Sequence, residues 1–414
     1  MQITALGLLA CFRKAFFDFW SQAPRALVFL ALASVALPLL HVLPLPEAVW
    51  TRIPGRTLAA SAREAVGANG WAPISLDSAR TLVALSGLIV PLTILSVGWA
   101  VRRDQLHTLG WLFVLLGIAN ALIGLSQAFS VNALASFYPE TPMQGVLFGT
   151  FANRNSAGLF LVGCLALASL LPPPKPHPIF GVARLSVCLL LIVAIVLTRS
   201  RTALVLTAIP VLLVGVKLVL TRLKLGKTRS DGSNGAIFTL GALGLAILLG
   251  GSLLLASPGR LDDTLERFER VGDARTYIWD DALFVSSRYW PVGSGMGTFD
   301  EVFQVDESLE NMTQRRAGRA HNDYIEVAIE AGLPGLALIA AWLILVVWFS
   351  WCARAVPRRW SAWSGSAICL IIALQSATDY PLRNQTMLAL AAFAVLLLMR
   401  NAVSSNSPVL EEGR

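Results

Sequence analysis

Charge is scarce in this sequence. Asp, Glu, Lys and Arg supply 14% of its 414 residues, against roughly 25% in a soluble domain. So little charge cannot cover a water-facing surface, which excludes an ordinary soluble protein. Cysteine is sparse and scattered, at Cys11, Cys164, Cys188, Cys352 and Cys369. None has metal-ligand spacing and none falls in the long polar loop, so neither a metal centre nor a disulfide framework is expected. Lysine is confined to Lys14, Lys175, Lys217, Lys224 and Lys227. Ionisable residues are nearly missing from the middle of the apolar stretches. An ion pathway would need them there, so a charge-coupled transporter is disfavoured.

Apolar residues fill the space that charge leaves. They make up 55% of the chain, and mean hydropathy is +0.65. A spanning helix needs about 20 mostly apolar residues. Ten segments qualify, at about 26–43, 79–100, 106–127, 152–171, 182–198, 202–220, 235–255, 332–352, 362–378 and 385–403. The stretch 1–20 is apolar but carries Arg13, Lys14 and Asp18. It reads as an interfacial helix, with a short extra span as the alternative. Its charged region is long and no small-residue cleavage site follows, so a signal peptide is not expected.

The expected fold is an all-α polytopic membrane protein with about ten to twelve transmembrane helices. Residues 1–140 read as N-terminal transmembrane helices and 141–255 as central ones carrying Asn and Arg motifs. Residues 256–331 form one large loop with short helices, and 332–414 the C-terminal helices and a short tail.

The net charge of +8 sets orientation rather than recruiting nucleic acid, which is not an expected partner. Arg102, Arg103, Lys175, Arg222, Lys224, Lys227, Arg229, Arg354, Arg358 and Arg359 fall in alternate loops. The positive-inside rule makes those loops, and both termini, cytoplasmic. One opposite loop, 44–78, runs against the rule with Arg52, Arg56 and Arg63. The large loop 256–331 then faces outward. It holds eight arginines and no lysine, and its middle, Pro291-Val-Gly293-Ser-Gly295-Met-Gly297, reads as turns. No strand–turn–helix frame surrounds those glycines, so a phosphate-cradling loop is disfavoured. The flanks 262–286 and 319–331 read as amphipathic helices.

Four polar clusters converge on the outer side. The first is Gly149-Thr-Phe-Ala-Asn153-Arg154-Asn155 at the start of a span. Asn153 and Asn155 there can cap a helix or bind an anion or a sugar hydroxyl. The second is Thr198-Arg199-Ser200-Arg201-Thr202, a very short outer turn. Two arginines there suit an anionic ligand, since guanidinium binds phosphate bidentately; a lipid headgroup is the alternative. The third is Asp273-Ala-Arg275 with Trp279-Asp280-Asp281, where Arg275 and Trp279 share a helical face. A solvated face with local ion pairs is the alternative. The fourth is His321-Asn322-Asp323-Tyr324, followed by Glu330 and Gly332-Leu-Pro-Gly335. A neutral His321 can take a proton from a hydroxyl at neutral pH. Asp323, Glu326 and Glu330 are rival bases.

Taken in order, these clusters resemble the O-antigen ligase and polymerase superfamily. The resemblance rests on Gly149 to Asn155, Ser200-Arg201, Arg275 with Trp279, Pro291 with Gly293 and Gly297, His321-Asn322, and Gly332 to Gly335. It covers about residues 145–400. It implies a GT-C-like glycosyltransferase without metal or other cofactor, in the bacterial inner membrane with its active face periplasmic. It implies a glycan donor on undecaprenyl diphosphate and a glycan, lipid or protein acceptor. Membrane lipids and other polysaccharide-assembly proteins are further candidate partners. Carried over, Arg201 and Arg275 would bind the diphosphate and His321 would activate the acceptor. Asn153, Asn155, Arg199, Asn322 and Trp279 are candidate substrate-binding residues. The family's arginine after serine is commonly followed by glycine, whereas Thr202 follows in this chain. Arg199 therefore competes with Arg201 as the phosphate ligand. A bicarbonate-like transporter and a non-catalytic scaffold are the alternatives. The first lacks midplane charges, and the second leaves the paired arginines unexplained.

Overall fold

A computed structural model describes residues 1–129, 137–138, 145–174, 177–225, 274–312 and 316–402. The expected span at 235–255, the loop before Ala274 and Asp273 itself lie outside them. The chain is built of helices: α1 (Gln2–Cys11), α2 (Arg13–Gln22), α3 (Arg25–Val42), α4 (Glu47–Trp50), α5 (Thr57–Ala65), α6 (Ser78–Gly87), α7 (Ile89–Ala100), α8 (Arg103–Phe129), α9 (Arg154–Leu170), α10 (Pro178–Leu197), α11 (Arg201–Leu206), α12 (Ala208–Leu225), α13 (Ala274–Tyr289), α14 (Phe299–Asp306), α15 (Asp323–Ala353), α16 (Arg359–Ser376) and α17 (Gln385–Ala402). Among the described residues only the two-residue strands β1 (Pro44–Leu45) and β2 (Ala72–Pro73) pair, antiparallel. This is an all-α polytopic membrane protein.

Among the described residues, seven stretches are long and apolar enough to cross a membrane: Arg25–Val42, Ser78–Ala100, Arg103–Phe129, Ile179–Leu197, Arg201–Arg222, Asp323–Ala353 and Gln385–Ala402. α9 and α16 occupy the spans expected at 152–171 and 362–378. α9 has 17 residues and buries nearly all of them. A helix hidden from lipid need not match the bilayer thickness. α9, α16 and α17 form the centre, and one core cluster runs through Leu161, Cys164, Ile368, Leu390 and Leu397. A Cβ on Gly365 would collide with Ala394 O, so α16 meets the backbone of α17 directly, as small residues allow in membrane bundles.

The N-terminal segment does not lie across one end of the bundle. α1 and α2 pack lengthwise along α7, with Ala5 clustered with Val90 and Ala389 and the Phe19 ring 6.3 Å from Trp99.

Helix connectivity gathers the loops 43–77, 145–153, 198–200, 290–312, 316–322 and 377–384 at one end. Loop 44–78 and the loop after α13 are interlocked there. Leu76 N donates to Ser294 O at 2.8 Å and Met296 N to His41 Nδ1 at 3.3 Å. Arg56, one of the contrary arginines, is 1% exposed and donates to Pro54 O, Ile74 O and Gly293 O. Burial, only partly offset by Tyr289, lowers its pKa to about 10. Its place is set by three carbonyls rather than by membrane sidedness. Arg63 stands 5.5 Å over the Trp50 ring and donates to Trp71 O at 3.3 Å.

The amphipathic flank at 319–331 and the span at 332–352 join into α15, broken at Gly332 with φ 55° and ψ −143°. Only glycine adopts that geometry readily. The glycine-rich loop lies against the break: Ser294 N donates to Ile329 O, Gly295 N to Glu330 O and Leu333 N to Pro291 O. A Cβ on Gly293 would collide with Glu330 O. These glycines serve close backbone packing, in keeping with their reading as turns.

Candidate active site

The first turn of α9 is the hub of the polar end. Asn153 is its N-cap, and its side-chain oxygen accepts from Asn155 N at 2.8 Å. Its Nδ2 donates to Asp379 Oδ2 at 3.3 Å. Capping and site-building are thus done by one amide. Asn155 Oδ1 accepts from Ser200 Oγ at 2.9 Å. Gly158 lets the turn 198–201 settle on α9, since a Cβ there would lie 2.6 Å from Ala203 Cβ. Ser200 caps α11, accepting from Ala203 N. Arg199 takes a left-handed φ of 51° and, like Arg201, is partly buried. The turn therefore holds both arginines beside α9, and Thr202 Oγ1 lies 3.3 Å from Ser200 Oγ.

His321 also has a left-handed backbone, with φ 52°. Its Nδ1 lies 3.3 Å from Asp379 Oδ1, at the long end of hydrogen-bond range. The imidazole is 33% exposed and the carboxylate 3%. Tyr380 meets the imidazole edge-on at 5.0 Å. Burial, reinforced by the Asp379 charge, pushes the Tyr380 phenol above its ordinary range, which keeps it a proton donor. Asp379 thus links His321 to Asn153, and through α9 to the arginine turn. Asp379 and Tyr380 are site residues that sequence reading missed. A lone acid next to an aromatic in a short loop gives no signal until the fold sets it beside His321.

Two of the candidate substrate-binding residues, Asn322 and Trp279, also brace the backbone beside His321. Asn322 caps α15, accepting from Tyr324 N at 3.0 Å and Ile325 N at 3.2 Å, while its Nδ2 donates to Ala377 O. Trp279 Nε1 donates to Ala320 O at 2.8 Å. Both hold the backbone on either side of His321. Arg275 lies in α13 one turn before Trp279, on the same helical face.

The rival bases are withdrawn from solvent. Asp323, Glu326 and Glu330 are each 0% exposed. They surround one guanidinium: Arg383 Nη2 lies 2.7 Å from Glu330, and its Nε lies 3.2 Å from Glu326 and 3.8 Å from Asp323. Burial alone would lower the Arg383 pKa, but these carboxylates raise it well beyond its usual value. The remaining oxygens brace loops. Glu326 accepts from Ala320 N at 3.0 Å and pairs with Arg319 at 3.3 Å. Glu330 accepts from Phe299 N and Asp323 from Leu382 N. Of the four candidate bases, His321 alone is open to a substrate. Among the described residues no cluster of three or more His, Cys, Asp or Glu has the arrangement of a metal site.

The fold and these contacts define a polytopic α-helical membrane protein with a polar site at one end of its bundle. Within that class, residues 186–340 match the family model described as O-antigen ligase. The match supports the O-antigen ligase and polymerase superfamily, as the motifs indicated. It takes in Arg199, Arg201, Arg275, His321 and the glycine-rich loop, but not Asn153 or Asp379. No curated protein matches the chain.

Proposed function

We propose that this chain is a glycosyltransferase of the O-antigen ligase and polymerase type, acting at the periplasmic face of the bacterial inner membrane. The observation that carries the reading is the chain of contacts from Ser200 through Asn155 and Asn153 to Asp379 and His321. It gathers a partly exposed imidazole and an arginine turn at one end of a membrane bundle. The donor would be a glycan on undecaprenyl diphosphate, and the acceptor the hydroxyl of a glycan, lipid or protein. His321, with Nδ1 toward Asp379, presents its other ring nitrogen to that hydroxyl and takes its proton. The acceptor oxygen bonds to the anomeric carbon as the bond to diphosphate breaks. The lipid diphosphate leaves with the electron pair. Arg201 and Arg275, with Arg199 beside Arg201, neutralise the charge that develops, usually the largest catalytic effect. Base help from His321 would contribute roughly 10²–10⁴-fold. Asp379 steadies the imidazolium formed. No step is assigned to a metal. Lipopolysaccharide ligation and exopolysaccharide polymerisation share this chemistry, and polymerisation is the reading we favour.

The test uses purified full-length chain with undecaprenyl-diphosphate glycan and candidate acceptors. Single-addition product means ligase; a ladder of lengths means polymerase. His321→Ala and Arg201→Ala should each abolish product and leave donor unconsumed, with membrane insertion intact. Normal product from both variants would sink the mechanism.

A further inference from the structure

At the end of the bundle away from His321, α9, α10 and α12 leave a crevice of about 190 Å³. Leu165, Ile192, Val211, Val214 and Leu218 make its walls, and two cations, Arg184 and Lys217, line it with them. Both cations turn back on the last carbonyls of α9. Arg184 Nη2 donates to Leu171 O at 2.7 Å, and Lys217 Nζ to Leu170 O at 3.4 Å. Neither forms an ion pair with a described carboxylate. Arg184 Nε is buried with no hydrogen-bond partner. A guanidinium and an ammonium each carry more donors than one carbonyl can satisfy.

Two cations side by side in an apolar crevice are costly unless an anion joins them. Snorkelling would carry a long side chain outward to water; Lys217 instead bends onto Leu170. The depth is marked by tryptophan. Arg184 stands 5.6 Å over the Trp111 ring and Lys217 Nζ 5.8 Å over the Trp360 ring. Indoles concentrate at the headgroup level of a bilayer, where lipid phosphates lie.

We propose that this crevice binds an anionic phospholipid from the leaflet opposite the His321 site. Its phosphate sits between Arg184 and Lys217, and an acyl chain lies along Leu165, Val211 and Val214. Charge complementarity favours an anionic lipid over a zwitterionic one, and the apolar walls favour a lipid over free phosphate.

The test is native mass spectrometry and thermal unfolding of the full chain in neutral detergent, with phosphatidylglycerol, phosphatidylcholine or inorganic phosphate added. Phosphatidylglycerol should be retained and raise the unfolding midpoint, and the other two should not. Each of Arg184→Gln and Lys217→Gln should weaken retention about fivefold, and the pair about thirtyfold. Equal retention of both lipids, a shift with inorganic phosphate, or undiminished retention by the double variant would overturn the proposal. Equal retention is also the outcome if the apolar stretch 235–255 fills the crevice. If the double variant does not fold, the comparison of lipids on the unaltered chain still decides.

Discussion

Replacing Asp379 by Asn keeps the shape of its contact with His321 but removes the charge that would steady an imidazolium. We expect Asp379→Asn to lower kcat by at least about tenfold, short of the roughly 10⁴ upper limit for a lost base. KM for the donor should hold, because Asp379 is 2% exposed and faces His321 and Asn153 rather than solvent. Steady-state kinetics would check the split; a rise in KM alone would mean that Asp379 only shapes the pocket. Arg383 answers to a different measurement. Arg383→Ala would leave Asp323, Glu326 and Glu330 buried together, and a broken buried pair costs about 3–5 kcal/mol. Thermal unfolding in detergent should show a large loss of stability. Arg383→Lys should recover part of it, since one ammonium cannot fork between Glu330 and Glu326 as a guanidinium does. The three acids are spaced three and four apart, and the sequence shows that they share a helical face. It does not show that the face is closed by an arginine 53 residues beyond Glu330.

At the scale of elements, the break in α15 and the loop that packs on it act as one unit. Gly332→Ala would force a side chain into φ 55° and drive its Cβ into Pro291 O. We expect a loss of at least about 1–3 kcal/mol and reduced turnover, because Glu326 and Glu330 brace the approach to His321 from the same helix. Gly215→Ala, in α12 with nothing within 4 Å of the added Cβ, is the control and should unfold like the parent. Thermal unfolding of the two variants side by side checks this. Hydropathy alone marks most of the spanning elements, since lipid imposes one length and one polarity on any helix it touches. It also marks α9, though it does not show that α9 is enclosed by protein.

The whole molecule has two unlike ends. One carries the interlocked loops, Arg201 and His321; the other carries Arg102, Arg103, Arg354, Arg358 and Arg359. With the native cysteines replaced, Leu309→Cys, at a position 85% exposed, should react with an impermeant maleimide in cells whose outer membrane has been opened. Arg358→Cys should react only after lysis. The reverse pattern would overturn the periplasmic placement of the site.

The sequence by itself determined the class of protein, because a chain so poor in charge has only lipid as a compatible solvent. It also determined most helices and the presence of His321, Arg201 and Arg275, whose neighbours carry short-range signals. Only the tertiary structure decided what His321 touches. Asp379 and Arg383 sit in a short loop with no pattern of their own, and they gain meaning from contacts with His321, Glu326 and Glu330 far along the chain. The bracing contacts of Asn322 and Trp279 were hidden for the same reason, since the carbonyl that engages a polar side chain belongs to another part of the fold.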